Sequence, residues 1–394
     1  MKKILPLLLT SVLLLTTLQA SKPVMPDILK TERVKHKKHA KHRTYHRKGP
    51  TIQIGLLIDT SNSMDGLINQ AKEQLWKIVN EVAKANKRKR GVTIEVGLFE
   101  YGKSSIPYYE GYLQMLVPFT RDLDTVSDEL FRLRTNGGEE YAGRVILSAV
   151  NQFRWSNHKN DLKLLIIAGN EAFTQGDVPY RRAIEKANDY GIVVNTIFCG
   201  NINEGRRTGW SHAARIGGGK YFNINHNDRR VYVPSPYDDD IIALGNSLNE
   251  TYVNYGARSY RKAKKENIYK QDKNSRSMSK ASYVERNLVK SKKQYSQASS
   301  DMVSAYMEKK SSLSSIKKSE LPDELKGKSK KEIRKIIEKK KIKRLKLQKK
   351  IKNLERKRDK YLAKKSTTKG KDLGSAIIKS VRKQAKEKGF NFSK

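Results

Sequence analysis

The 394-residue chain holds one cysteine, three tryptophans and ten prolines, and beyond its first twenty residues it has no long apolar run. A single thiol, Cys199, cannot close an intramolecular disulfide, so the fold has to rest on its own core. Cys199 ends an expected buried strand and reads as a packed thiol. Without an apolar stretch of about twenty residues after the leader, no transmembrane segment is expected in the mature chain. Acidic residues are also scarce: 82 Lys and Arg face 40 Asp and Glu, for a formal net charge of +42. The deficit is local. Residues 51–255 hold 24 basic and 24 acidic side chains, residues 256–394 hold 46 and 14, and residues 21–50 hold 10 and 2. A neutral region between basic flanks sets the expected boundaries: a signal peptide at 1–20, a disordered basic arm at 21–50 and a globular domain at 51–255. A basic, partly helical linker at 256–323 and a basic helical or coiled-coil region at 324–394 follow.

Lys2 and Lys3, the apolar run 4–15, and Leu18 and Ala20 before the cleavage point fit a secretory signal peptide. The expected location is therefore secreted, in the periplasm or outside the cell. The arm that follows has no apolar periodicity. Its histidines are interleaved with lysines that repel a metal cation, so Lys37, Lys38 and Arg43 point to polyanion attraction instead.

The neutral region turns on residues 54–64, where a branched apolar run breaks into Asp59-Thr60-Ser61-Asn62-Ser63 and a helical pattern begins. That is the form of a buried parallel strand feeding a helix. Further apolar segments at 92–99, 162–167, 192–198 and 221–224 read as strands. Amphipathic stretches at 69–85, 126–134, 144–154, 178–190, 211–216 and 239–252 read as helices. This alternation implies an α/β fold, a doubly wound and mostly parallel sheet with helices on both faces. Asp59, Ser61 and Ser63 then lie on the turn at the strand's carboxyl end, where such sheets bind ligands. A carboxylate and two hydroxyls are hard oxygen donors, suited to Mg²⁺ or Mn²⁺ rather than Zn²⁺. The same residue types also serve as plain helix caps.

These residues resemble the von Willebrand factor type A domain, and more closely a secreted bacterial branch of that family. The resemblance also rests on Asn136-Gly137-Gly138-Glu139-Glu140-Tyr141, on residues 168–176 and on Trp210 before Ala213-Ala214. It implies a Rossmann-like sheet with a metal-ion-dependent adhesion site on its upper rim and an open position for a partner's carboxylate. Asp59, Ser61 and Ser63 match the family pattern. Gly138, Glu139 and Glu140 stand where the family places a threonine, and Ala168 stands where it places an aspartate. Glu139, Glu140, Asn170 and Glu171 are thereby the candidate substitute ligands of a variant site. A carboxylate in that position tightens a cation while lessening its demand for a partner's carboxylate.

Two motifs are set aside. Gly217-Gly218-Gly219-Lys220 lacks the phosphate-loop frame and precedes a strand. Glu139 and Glu140 are adjacent on a loop with no nucleophile or base to complete a reaction, so no enzyme activity is expected. Past residue 256, Ser329 and Glu332 form a capping box, and a helix without Gly or Pro runs from there to about Lys364. Its apolar stripe is interrupted by Lys340, Arg344 and Arg358, compatible with a hairpin or weak coiled coil. A short helix at 373–385 follows, with Ile377, Ile378 and Val381 inward. Lys340, Arg344 and Lys349 are taken as polyanion-binding, and sparse aromatics argue against specific nucleic-acid recognition. The sequence thus predicts a secreted, non-catalytic, adhesion-type protein that binds a protein partner, with a divalent ion, Mg²⁺ or Mn²⁺, at the variant adhesion site as the candidate link. The alternative is an envelope polyanion-binding protein that acts through its basic arms, with the domain as scaffold.

Overall fold

The computed structural model describes residues 49–87, 90–225, 232–295, 297–308, 316–365 and 373–392. The expected signal peptide, the basic arm and with it Lys37, Lys38 and Arg43 lie outside the described residues. Strand β1 (Thr51–Asp59) leads through a short 3-10 turn into α1 (Ile68–Val82). After two short strands, β2 (Ala85–Lys87) and β3 (Arg90–Gly91), come β4 (Thr93–Tyr101) and β5 (Leu113–Thr120). Helices α2 (Leu123–Arg132) and α3 (Ala142–Gln152) precede β6 (Leu162–Gly169), α4 (Tyr180–Asp189) and β7 (Val193–Cys199). Helices α5 (Ile202–Arg207) and α6 (Trp210–Ile216), then β8 (Gly218–Ile224) and α7 (Asp238–Asn249), complete the expected domain.

The main sheet has the order β5-β4-β1-β6-β7-β8. Its pairings are parallel except β4 with β5, which is antiparallel and bulged. Side chains alternate across it as strand geometry requires. Ile54, Leu56 and Ile58 enter one apolar layer with Leu164, Ile166, Leu75 and Val79. Leu57, Leu165 and Ile167 enter the other with Val145, Ile146 and Phe153. Gly55 and Gly97 admit the Phe153 ring, since a Cβ at Gly55 would stand 3.0 Å from its edge. Cys199 is buried at the end of β7, as a packed thiol should be.

Beyond residue 256 the chain continues as α8 (Arg258–Met278), α9 (Lys280–Lys290), α10 (Met302–Met307), α11 (Lys330–Lys365), α12 (Leu373–Glu387) and β9 (Asn391–Phe392). The expected linker is instead packed structure. Helix α8 lies against α2, and α9 against α7, α8 and α1. The reason it escapes an apolar reading is that its interface is polar. Arg286 reaches Asp124 at 2.6 Å and Asp272 at 3.0 Å, and Lys290 reaches Asp272 at 2.7 Å, all among buried residues. Helix α12 returns to the sheet: Ile377, Val381, Ala385 and Phe390 join the layer formed by α1. Gln384 and Asn195 exchange hydrogen bonds at 2.8 and 3.3 Å, and β9 pairs antiparallel with β2.

The capping box at Ser329 and Glu332 is present, with Ser329 N donating to Glu332 at 2.8 Å and Glu332 N to Ser329 Oγ at 3.3 Å. Helix α11 packs on α7, α9 and α10 of its own chain. Arg344 is not a polyanion contact. It is buried, ion-paired with Asp301 at 2.7 Å, and donates to Thr251 Oγ1 and Thr251 O at 2.8 Å. Lys340 also turns inward, its ammonium 2.8 Å from the Glu250 carbonyl at the end of α7, where a cation suits the helix terminus. Arg358 pairs with buried Asp238 at 2.8 Å. Of the three expected polyanion contacts on this helix, Lys349 alone is exposed. Among the described residues no helix is long and apolar enough to cross a membrane.

Candidate metal-ion site

Three loops meet at the carboxyl ends of β1, β4 and β6. The first follows β1, whose last residue, Asp59, is fully buried. Its Oδ1 accepts the Ser61 backbone N–H at 2.8 Å, whereas its Oδ2 has no hydrogen-bond partner. Ser61 Oγ lies 2.8 Å from Ser63 Oγ, and Ser63 Oγ donates to Asn170 Oδ1 at 2.9 Å. Asn170 answers with its amide, donating to the Ser63 carbonyl at 2.9 Å. The first and third loops are thus tied by the side chains expected to share a ligand.

The second loop, residues 133–141, is tied to the first by Asn136 N donating to Thr60 O at 2.8 Å. It delivers Glu140, buried, to the same cavity. Gly102 shows how close the approach is: its φ is +79°, and a Cβ there would stand 2.7 Å from Asp59 Oδ1 and 3.0 Å from Glu140 Cγ. Only glycine serves this position on both counts.

Burial raises the Asp59 carboxyl to about 7, against hydrogen bonds from Ser61, and Glu140 adds to the rise. Burial likewise raises Glu140 to about 7, opposed by a Ser61 hydrogen bond and reinforced by Glu171 and Glu139. Two carboxyls with displaced acidities, one bearing an orphaned buried oxygen, form a site lacking positive charge. A divalent cation fits that deficit, and the hydroxyl, amide and carboxylate oxygens are the donors it prefers. The donor set is mixed. Among the described residues no group of three or more His, Cys, Asp or Glu side chains is placed to hold a metal ion.

The structure separates the two adjacent glutamates. Glu139 is exposed and accepts from Gln175 Nε2 at 3.3 Å, while Glu140 N donates to Gln175 Oε1 at 3.1 Å. Glu171 stays at the edge, its carbonyl accepting Trp210 Nε1 at 2.7 Å. Thr135 donates to Asp65 instead. Ala168 ends within β6, where its carbonyl accepts the Tyr101 hydroxyl at 3.1 Å. The sequence reading missed Tyr108 and Tyr109, on the loop after β4 at this same end of the sheet. They are 49% and 55% exposed, with ring centroids 5.8 Å apart. Two adjacent tyrosines after Pro107 were the available signal.

Residues 53–213 match the model of the von Willebrand factor type A domain. The chain carries this domain. Its mixed, mostly parallel sheet flanked by helices is the fold typical of the family, and a helical C-terminal region is added to it. Such domains commonly mediate protein interactions and often bind a divalent metal at the adhesion site. Among solved structures, BatB from Bacteroides thetaiotaomicron is 15% identical, with 57% of this chain and 100% of that chain covered and a TM-score of 0.34. A von Willebrand factor type A protein from Catenulispora acidiphila is 17% identical over 45% of this chain and 39% of that one, with a TM-score of 0.33. Proximal thread matrix protein 1 of the mussel byssus, solved with zinc in its adhesion-site motif, is 10% identical over 45% and 43%, with a TM-score of 0.33. Comparison with curated proteins gives no match.

Proposed function

We propose that this von Willebrand factor type A domain is the non-catalytic, divalent-ion-dependent protein-binding module of a secreted chain. The observation that carries the reading is Asp59 Oδ2, buried and unpartnered beside a second acidic group. Asp59, Ser61 and Ser63 would hold Mg²⁺ or Mn²⁺ from the first loop, Glu140 from the second and Asn170 from the third. When bound, the ion supplies the positive charge that two buried carboxylates lack. Glu140 then contributes the carboxylate that a partner would otherwise bring, and the partner is held by the protein surface around the rim. Tyr108 and Tyr109 are its anchors, because exposed tyrosines combine large contact area with little side-chain entropy to lose.

Calorimetric titration of Mg²⁺, Mn²⁺ and Ca²⁺ into the full chain, beside Asp59→Ala, tests the ion site. Saturable binding lost in the variant is expected; unchanged uptake in the variant would refute the assignment. Partner capture that survives both a chelator and Tyr108→Ala/Tyr109→Ala would remove the rim from the interaction.

A further inference from the structure

Helix α11 is a continuous rod of 36 residues, and at 1.5 Å per residue it is about 54 Å long. One side of it is the seam already described, with Ile333, Ile337, Leu347 and Ile351 buried and Arg344 and Arg358 paired to aspartates. The opposite side has a different character. Steps of three and four along it pass through Lys335, Lys339, Lys346, Lys349, Arg356 and Lys360, all exposed. No acidic residue falls in this row, and none of the six cations forms an ion pair with a described residue. The two uncharged positions are Asn353 and Ile342, the latter 60% exposed; Leu345, on the flank, is 46% exposed.

We infer that this outward row is a docking surface for an anionic lipid bilayer. The buried cations of the same helix, Arg344 and Arg358, are paired within the chain, whereas the outward row is not, and exposed Lys350, Lys352 and Lys357 on its flanks widen it into a basic face on a rigid element. A flat anionic surface meets every member of a straight row at once. A nucleic-acid duplex curves away from a rod and leaves most of the row without phosphates. Five of the six cations are lysines, which act as point charges rather than as the bidentate forks that read phosphate geometry. Exposed Ile342 and Leu345 among lysines suit the boundary between headgroups and acyl chains, where basic amphipathic helices lie. Self-association through this face is opposed by its own charge. Each lysine brought to an anionic membrane surface adds to the attraction, which is screened by salt.

Co-sedimentation of the full chain with vesicles tests the inference. Binding is expected to vesicles of equal parts phosphatidylglycerol and phosphatidylcholine, not to pure phosphatidylcholine, and it should fall steeply as salt is added. Lys346→Gln/Lys349→Gln/Arg356→Gln/Lys360→Gln is expected to weaken it about a hundredfold or more. Arg182→Gln/Arg207→Gln/Arg215→Gln/Lys220→Gln removes the same charge elsewhere and is expected to stay within about threefold of the original, since charge beyond a Debye length of the surface contributes little. Single Lys349→Glu, milder toward the fold, is expected to weaken binding about tenfold or more. Undiminished binding by the fourfold α11 variant would overturn the proposal. So would equal loss in both fourfold variants, or retention on duplex DNA with none on vesicles.

Discussion

Buried acids occur in two regions of this molecule and are treated in opposite ways. Where the C-terminal helices pack, every buried aspartate described above meets a cation. Burial alone would raise Asp272, but Arg286 and Lys290 hold it below the usual carboxylate range. Asp238 is likewise held down by bonds from Tyr232, Ser235 and Arg358 that outweigh its burial. At the rim of the sheet, Asp59 and Glu140 have no such partner, and both rise to about 7. A closed charge account marks architecture, whereas an open one marks a place where something else is to bind.

The largest expected effect comes from removing the closed region. Truncation after Tyr255 deletes Ile377, Val381 and Phe390 from the layer against α1, so the fragment should lose cooperative unfolding and aggregate. Size-exclusion chromatography and thermal melts check this, and a monomeric, cooperatively melting fragment would mean the C-terminal helices are dispensable. Arg286→Met leaves buried Asp124 without its cation and Asp272 with Lys290 alone, and should destabilise the chain by about 3–5 kcal/mol in urea titration.

The open site should behave in reverse. A folded-state pKa raised above the unfolded value means that the native state holds the extra proton between about pH 4 and 7. Stability should therefore fall as pH rises through that window. Asp59→Asn removes the buried charge, so its melting temperature should equal or exceed the parent's at pH 8 without added metal, and the gap should narrow as pH falls toward about 4. The parent should gain about 2.7 kcal/mol from Mg²⁺ at a hundredfold excess over its Kd, and Asp59→Asn should gain little. A variant less stable than its parent at pH 8 would show that Asp59 is structurally compensated after all. The smallest effect belongs to Lys349→Gln, set beside Arg344→Gln as its contrast on the same helix. Arg344→Gln breaks a buried ion pair and should lower the urea midpoint clearly, and Lys349→Gln should not shift it.

Much of the fold is legible in the sequence because parallel strands buried on both faces read as apolar runs. The strands at β1, β4, β6, β7 and β8 were found this way. Edge strand β5 was not, since Gln114, Met115 and Pro118 interrupt its pattern and it is exposed along one side. Helix α8 was missed because its buried residues are Arg261, Gln271, Asp272 and Ser275 beside a single Ile268, and apolar periodicity carries no trace of a polar interface. In the site, hydrogen bonds bring Asp59, Ser61, Ser63 and Asn170 together. Glu139 and Glu140 are indistinguishable in sequence, and the loop's path alone decides which one turns inward. Lys340, Arg344 and Arg358 were legible as breaks in a seam, and at Arg344 and Arg358 the break marks a buried aspartate on a neighbouring element rather than a surface function.

The pairing of β9 with β2 brings Phe392 opposite Ala85. The layer against α1 is therefore completed only by chain some three hundred residues downstream. Chains usually settle from the amino end while the rest is still being made. Here that order is blocked, because an early fold would leave a bare apolar face where α12 belongs. Loop closure over some three hundred residues also places this step among the slow, non-local contacts. The layer against α1 should thus stay incompletely covered until α12 and β9 have been made and have docked.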